Sequence, residues 1–342
     1  MSTSDLINYF EDLEDFDAME NGKRAKMVKN VSRGQKKQKA KEKKAFKTAR
    51  RDDGAAFTFS YNASHHERDW INDSLGRFYQ MHWFDDVLQL IKGGKEASVY
   101  LCSGNETTQV SHLAAKVYRP RRFRNLRKDH LYREGRERLD ADGNSITDDG
   151  KQYAMRKRTQ YGKQLLHTSW IEHEVKTMQV LHQAGADVPE IFASENNAIL
   201  MSYIGEAEMP APALNEIDLD PEEAQTLFER VLRNIEIMLA HDRVHGDLSA
   251  YNILYWDGTI TLIDFPQAIS PKENHNAYLI FQRDVARVCE YFAEQGVGSD
   301  PRAIAEQMWR KYRYKTMPDM DPQFLDADSE DDIALWKRMK VT

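Results

Sequence analysis

The sequence predicts an α+β fold in two lobes, a mainly β half followed by a mainly helical half. Three observations predict it. Short apolar runs separated by Gly93-Gly94 and Asn196-Asn197 crowd into residues 87–118 and 188–203, as strands and hairpins do. The clearest helical stripe starts only later, behind Asp220-Pro221. A short strand pair joined through Asp257-Gly258 then interrupts the helical half. A length of 342 residues allows a real core and two or three domains.

The chain opens on charge rather than structure. Its net charge of −7 hides a segregation: residues 1–22 carry no Lys or Arg, whereas Lys23–Arg51 is dense in both, with Glu42 as its one acid. Asp319–Asp332 turns acidic again. Such blocks cannot bury enough apolar surface to fold, so 1–55 is expected to be a disordered acidic-then-basic arm and 319–342 an acidic tail. The folded part should begin near Phe57. No apolar run approaches the roughly 18 residues that span a bilayer, and the N-terminus lacks a secretory pattern. The two cysteines, Cys102 and Cys289, are too few for a disulfide framework and fit a reducing, cytoplasmic location.

Within the folded part, Trp70–Phe84 reads as a helix and Val87–Ile91, Ser98–Leu101 and His112–Tyr118 as three strands of one sheet. Arg119–Leu166 is charged and punctuated by Asp142-Gly143-Asn144, a long insertion expected to be mobile; loops of that length are uncommon without a role. Ser169–Gln183 reads as a helix, with Ser169 and Glu172 as a capping box. Val188–Ala193 and Ala198–Tyr203 form a hairpin, and Gly205–Leu214, with Pro210 and Pro212, a linker. The helix behind Asp220 buries Ala224, Leu227, Phe228, Val231, Leu232, Ile235, Met238 and Leu239. Strands Ile253–Tyr255 and Ile260–Ile263 follow, then helices Tyr278–Glu294 and Pro301–Tyr314.

The densest chemistry lies in His245-Gly246-Asp247-Leu248-Ser249-Ala250-Tyr251-Asn252 and in Ile263-Asp264-Phe265-Pro266-Gln267. Phosphoryl transfer from ATP needs a carboxylate near the acceptor hydroxyl and oxygen ligands that hold Mg²⁺ on the phosphates. An Asp, an amide five residues on and a second Asp beyond a short hairpin supply those parts. Each residue alone is an ordinary turn former; the ordered set is not. Upstream, Lys116 interrupts an otherwise apolar strand. A lone strand lysine commonly protects a sheet edge. Yet Glu174 shares the inward face of its helix with Ile171, Val175, Met178 and Leu181, while Glu172 lies on the opposite, solvated face. A carboxylate on a buried stripe needs a cation, and Lys116 is the candidate. Gly93-Gly94-Lys95-Glu96-Ala97-Ser98, between two strands and one strand ahead of Lys116, is a candidate phosphate cover, though it is neither GxGxxG nor a Walker loop.

Together GGKEASVY (Gly93–Tyr100), HGDLSAYN (His245–Asn252), IDFPQ (Ile263–Gln267) and FQRDV (Phe281–Val285) resemble the RIO family of atypical serine/threonine protein kinases, over about Trp70–Glu294. The resemblance implies a trimmed two-lobed protein-kinase-like fold: an N-lobe over 56–204 with the insertion 119–166, and a reduced C-lobe over 205–318. It implies ATP with Mg²⁺, for which Mn²⁺ can substitute, and transfer of the γ-phosphate to protein hydroxyls, including autophosphorylation. By it, Asp247 is the catalytic carboxylate. Asn252 and Asp264 hold the metal, and Lys116, paired with Glu174, holds the phosphates. Gly93, Gly94, Lys95 and Ser98 cover the phosphates, and Met201–Ile204, with Tyr203, meets adenine. RIO-like proteins are associated with ribosome maturation.

The chain departs from ordinary protein kinases in ways that bear on regulation. Gly246 replaces the Arg that grips a phosphorylated activation loop, Pro266 follows Asp264-Phe265 where Gly is usual, and no Ala-Pro-Glu motif follows. With 78 residues after Asp264 (342 − 264), the usual peptide platform is not expected. An ATPase-type assembly factor acting on a ribonucleoprotein, contacted through Lys23–Arg51, shares the same core residues. A small-molecule kinase shares the HxDxxxxN logic but lacks the KEASVY loop.

Overall fold

The computed structural model describes residues 57–94, 96–119, 136–195 and 197–315. The arm 1–55, the tail 319–342, and Lys95 lie outside the described residues. The described residues divide into two compact units, one drawn from 57–119 with Phe192–Tyr203, the other from 136–191 with 204–315.

The first unit is a helix on a five-stranded sheet. Helix α1 (His65–Gln80) starts where the Ser64 hydroxyl accepts the Glu67 N–H, five residues ahead of the sequence expectation. The polar, charged first turn hides that start, because only Ile71, Leu75 and Phe78 carry the buried stripe. Strands β1 (Asp86–Gly93), β2 (Ala97–Ser103), β3 (His112–Tyr118), β4 (Ile191–Glu195) and β5 (Ala198–Ser202) lie in the order β1-β2-β3-β5-β4. The β1–β2, β2–β3 and β3–β5 pairs are antiparallel. Phe57, Phe59, Phe78 and Phe84 pack with Val87, Leu113, Ala115 and Leu200 into one core. Phe57 stacks on Tyr79 with ring centroids 4.6 Å apart, so the folded part does include Phe57.

The second unit is mainly helical. Residues 136–166 of the expected mobile insertion form a bridge between Leu139 and Ser145, helix α2 (Asp149–Arg156), and the start of α3 (Gln160–Gln183). The rest of the insertion, 120–135, is outside the described residues. Helix α3 thus begins nine residues before Ser169, and its cap is Thr159, whose hydroxyl accepts the Gly162 N–H. Ser169 is no cap: it is buried in the helix interior and its Oγ accepts the Leu139 N–H at 2.9 Å. Glu172 is not solvated either, because residues 171–175 are buried all round the helix. Residues 136–191 belong to the same compact unit as those from Ile204 onward. Asp187 ties the two stretches together, accepting from the Arg230 guanidinium on both oxygens at 2.8 Å.

Helix α4 (Pro221–Ala240) matches its expected start: Asp220 accepts the Glu222 and Glu223 N–H groups, a cap worth about 1 kcal/mol. Of its predicted stripe only Leu232 is left half-buried. The linker contains a small hairpin, β6 (Gly205–Glu206) with β7 (Met209–Pro210). Strands β8 (Ile253–Trp256) and β9 (Thr259–Leu262) pair antiparallel, and α5 (Ala277–Glu294) and α6 (Pro301–Lys311) complete the unit. Among the described residues no helix is long and apolar enough to cross a membrane.

Candidate active site

In the first unit, Lys116 sits on β3 opposite Val99 on one side and Ile199 on the other. That strand is central, so edge protection does not account for the lysine. Its side chain is buried, with Nζ 5.0 Å from the Tyr118 ring centroid, a cation–π contact two residues along the same face. Gly93 pairs with Ser98 at the mouth of the β1–β2 hairpin, Gly94 N–H donates to Ala97 O at 2.9 Å, and Ser98 is buried. Met201 is buried on β5, and Tyr203 is half-buried with its phenol pKa raised by that burial. Ile204 belongs to the second unit, where its carbonyl accepts the Ala211 N–H. Glu174, also in that unit, is almost fully buried on α3, deeper than Glu172.

The second unit holds Asp247, Asn252 and Asp264 on one bonded frame. Helix α4 ends at Ala240, and Val244 then exchanges two hydrogen bonds of 2.9 Å with Ile269, clamping the start of one loop to the end of the other. His245, buried between them, donates from Nε2 to Ile263 O at 3.1 Å and accepts the Asp247 N–H on Nδ1 at 3.3 Å. Its ring lies 4.5 Å from that of Phe265, which is fully buried. Asn252 donates from Nδ2 to Asp247 O at 2.9 Å, and its own carbonyl accepts the Ile263 N–H at 2.9 Å. The amide nitrogen is therefore committed inside the loop, which leaves Oδ1 as the atom that can meet a cation.

Two conformational demands explain residue types here. Gly246 has φ of +83°, and a Cβ on it would lie 2.3 Å from Gln267 O, so only glycine lets the two loops touch. Asp264 has φ of +71°, a left-handed conformation that Asp tolerates at a cost of about 1 kcal/mol.

Helix α5 supplies residues to which the sequence alone gave no role. The Asp284 carboxylate accepts the Gly246 N–H on Oδ2 at 2.8 Å and pairs with Arg283 at 3.0 Å, and Arg283 also donates to Gly246 O. Burial pushes the Asp284 carboxyl up to about 6, against the pull of Arg283 and of the backbone N–H groups of Gly246 and Leu248. Arg287 donates to Asp247 Oδ1 at 2.9 Å, both side chains half-exposed. Asp284 had a legible signal: it interrupts the buried stripe Ile280, Phe281, Val285, Val288, as Glu174 does on its own helix. Arg136 had none, lying in a run of charges; its guanidinium donates to Pro266 O at 2.9 Å and Ala268 O at 3.0 Å.

Comparison with known proteins bears on the family and the fold. A model of the RIO domain matches residues 98–304, more than half of the chain. The RIO-type serine/threonine-protein kinase Rio1 of Haloferax volcanii is 29% identical over 218 residues, covering 63% of this chain and 66% of the relative. Rio1 of Thermoplasma acidophilum is 30% identical over 142 residues, 42% of this chain and 73% of that one. Human serine/threonine-protein kinase RIO3 is 33% identical over 130 residues, and the matched part spans only 25% of its length. Among solved structures, the Rio2 kinase–ADP/Mg²⁺–phosphoaspartate complex from Chaetomium thermophilum aligns over 91% of this chain and 81% of its own, with a TM-score of 0.50 at 19% identity, a likeness of fold. On the extent of the domain match, the chain belongs to the RIO family of atypical kinases.

Proposed function

We propose that this chain is an ATP-dependent serine/threonine protein kinase that transfers the γ-phosphate to protein hydroxyls, its own included. The observation that carries this reading is the frame that joins Asp247, Asn252 and Asp264 through His245 and the Asn252–Asp247 bond. Asp247 accepts the acceptor hydroxyl's proton as the new O–P bond forms and the bond to the β-phosphate oxygen breaks, with ADP as leaving group. Asn252 Oδ1 and the Asp264 carboxylate are hard oxygen donors, the kind that suits Mg²⁺ and, in its place, Mn²⁺. Bound there, the metal offsets charge on the transferring phosphoryl group. Lys116, paired with Glu174, aligns the phosphates; Gly93, Gly94 and Ser98 cover them together with Lys95; and Met201, Tyr203 and Ile204 receive the adenine.

A second reading has its own support. The Rio2 relative was captured as an ADP/Mg²⁺–phosphoaspartate complex, so a carboxylate of the enzyme can be the acceptor. Hydrolysis of such an acyl phosphate makes an ATPase, which would switch contacts with a ribonucleoprotein during ribosome maturation. The basic segment Lys23–Arg51 would then bind phosphate backbones by counterion release, in the cytoplasm. Labelled ATP, with and without ribosomal subunits, separates the two. Acid-stable label on protein serines or threonines supports the kinase. Hydroxylamine-sensitive label with free phosphate stimulated by subunits supports the ATPase. Deleting residues 1–55 should leave core turnover intact and flatten the salt dependence of RNA binding; an unchanged salt slope removes the role of the arm.

A further inference from the structure

The loop after Asp264 is held in an unusual way. Three consecutive carbonyls, those of Pro266, Gln267 and Ala268, each meet a residue distant in the sequence. The outer two accept from one nitrogen of Arg136, and the middle one rests against Gly246. On its far side the loop is closed by the paired bonds between Val244 and Ile269, and inside it Phe265 is fully buried against His245. The Arg136 Nε is out of solvent reach, and burial lowers the guanidinium pKa to about 10, partly offset by the field of Glu174. Desolvating a guanidinium costs free energy, which its hydrogen bonds to the two carbonyls and the field of Glu174 offset.

We infer that Arg136 is a positioning residue: it holds Asp264 in its metal-binding pose by gripping the carbonyls of Pro266 and Ala268. The inference rests on the kinase reading above and deepens it. In switchable kinases the corresponding segment is ordered when an added phosphate meets an arginine. Here position 246 is a glycine, and any side chain there would collide with Gln267. The cation instead comes from 130 residues earlier in the chain and binds the backbone itself, so the loop is ordered without modification. The charged insertion thereby delivers Arg136 to the metal side of the site. The signature is specific, since a clamp that acts through Asp264 must show in metal affinity.

The test is Mg²⁺-dependent binding of a fluorescent ATP analogue to the full-length protein, wild type against Arg136→Ala and Arg136→Lys, with turnover measured alongside. Arg136→Ala should raise the Mg²⁺ concentration for half-saturation by about 10-fold or more, with turnover recovering as Mg²⁺ is raised. Arg136→Lys, which keeps a charged donor, should recover part of the shift. An unchanged Mg²⁺ dependence with only a lower melting temperature would overturn the inference and leave the kinase reading standing. A wild-type protein without Mg²⁺-dependent nucleotide binding would remove both. Hydrogen exchange on the wild type provides a readout that does not depend on variants folding: amides of 265–270 should be protected before nucleotide and metal are added. Protection that arises only with Mg²⁺ and ATP would overturn the clamp.

Discussion

Lys116 and Asp247 are both polar residues expected at the reaction centre, yet the two regions hold them by different means. Lys116 occupies one rung of a central strand, with Val99 and Ile199 as its neighbours, and the ladder alone decides which way it faces. Asp247 sits on a segment without regular pairing. Its place is set by His245, Asn252, Arg287 and, through Gly246, by Asp284 and Gln267. The strand residue depends on a period of two that any substitution nearby preserves. The loop residue depends on a closed set of long-range contacts, so damage to one member spreads to the others. Stability and chemistry are therefore expected to be coupled in the loop and separable in the strand.

The largest effects should come from the carboxylates themselves. Asp247→Ala is expected to lower turnover by about 10²-fold or more while keeping nucleotide affinity, and Asp264→Ala to abolish Mg²⁺-dependent ATP binding. Titration of ATP into each variant checks this; an equal loss of ATP affinity in both would contradict their separate roles. Next comes the contact between the two loops. Gly246→Ala must relieve both a left-handed backbone and a 2.3 Å approach to a carbonyl, and should destabilise the protein by about 2–3 kcal/mol as well as slow turnover. Its counterpart in the strand, Ala115→Gly, should cost about 1 kcal/mol and leave turnover nearly unchanged. Urea unfolding of the two variants measures the contrast, and equal coupling to activity would break it.

A smaller effect concerns the carboxyl that holds Gly246. Burial raises Asp284 from an ordinary 3.8 to about 6, so the folded protein binds this proton more tightly than the unfolded chain. Its contribution to stability is therefore largest at low pH and falls as pH rises from about 4 to 6, then stays level. Asp284→Asn cannot titrate, so its stability relative to wild type should rise across that window, by at most about 3 kcal/mol. A difference between the two proteins that does not change with pH would show that Asp284 does not titrate there. The smallest effect expected is none: phosphatase-treated protein should turn over as fast as untreated protein, since Gly246 offers no cation to a phosphate and the loop is held by Arg136. A large drop in rate after treatment would contradict that.

What the sequence made legible follows the same division. The bounds of β3 and the start of α4 agree with expectation because a seven-residue, mostly apolar run, or a Pro behind an Asp cap, is local information. Glu174 was found on the buried face of its helix by the same means, and the burial of Asp284 could have been. Glu172 defeated that reasoning. A periodic stripe assumes one wet face, and α3 is buried all round at 171–175. Ser169 looked like a cap because Ser-x-x-Glu is a common helix start, but the helix had already begun at a polar turn with no apolar stripe to announce it.

By itself the sequence determined the α+β class, the order of strands and helices apart from α2 and the β6–β7 hairpin, and Asp247, Asn252, Asp264, Lys116 and Glu174 as residues in unusual company, since composition, period and motif spacing are properties of neighbours along the chain. Only the tertiary structure decided that Lys116 lies on a central strand and that position 246 must be glycine because Gln267 O is there. It also decided that an arginine from the charged insertion grips the loop after Asp264. Those facts are contacts between residues 17 to 132 positions apart, and a contact over such a separation leaves no period in the sequence from which to read it.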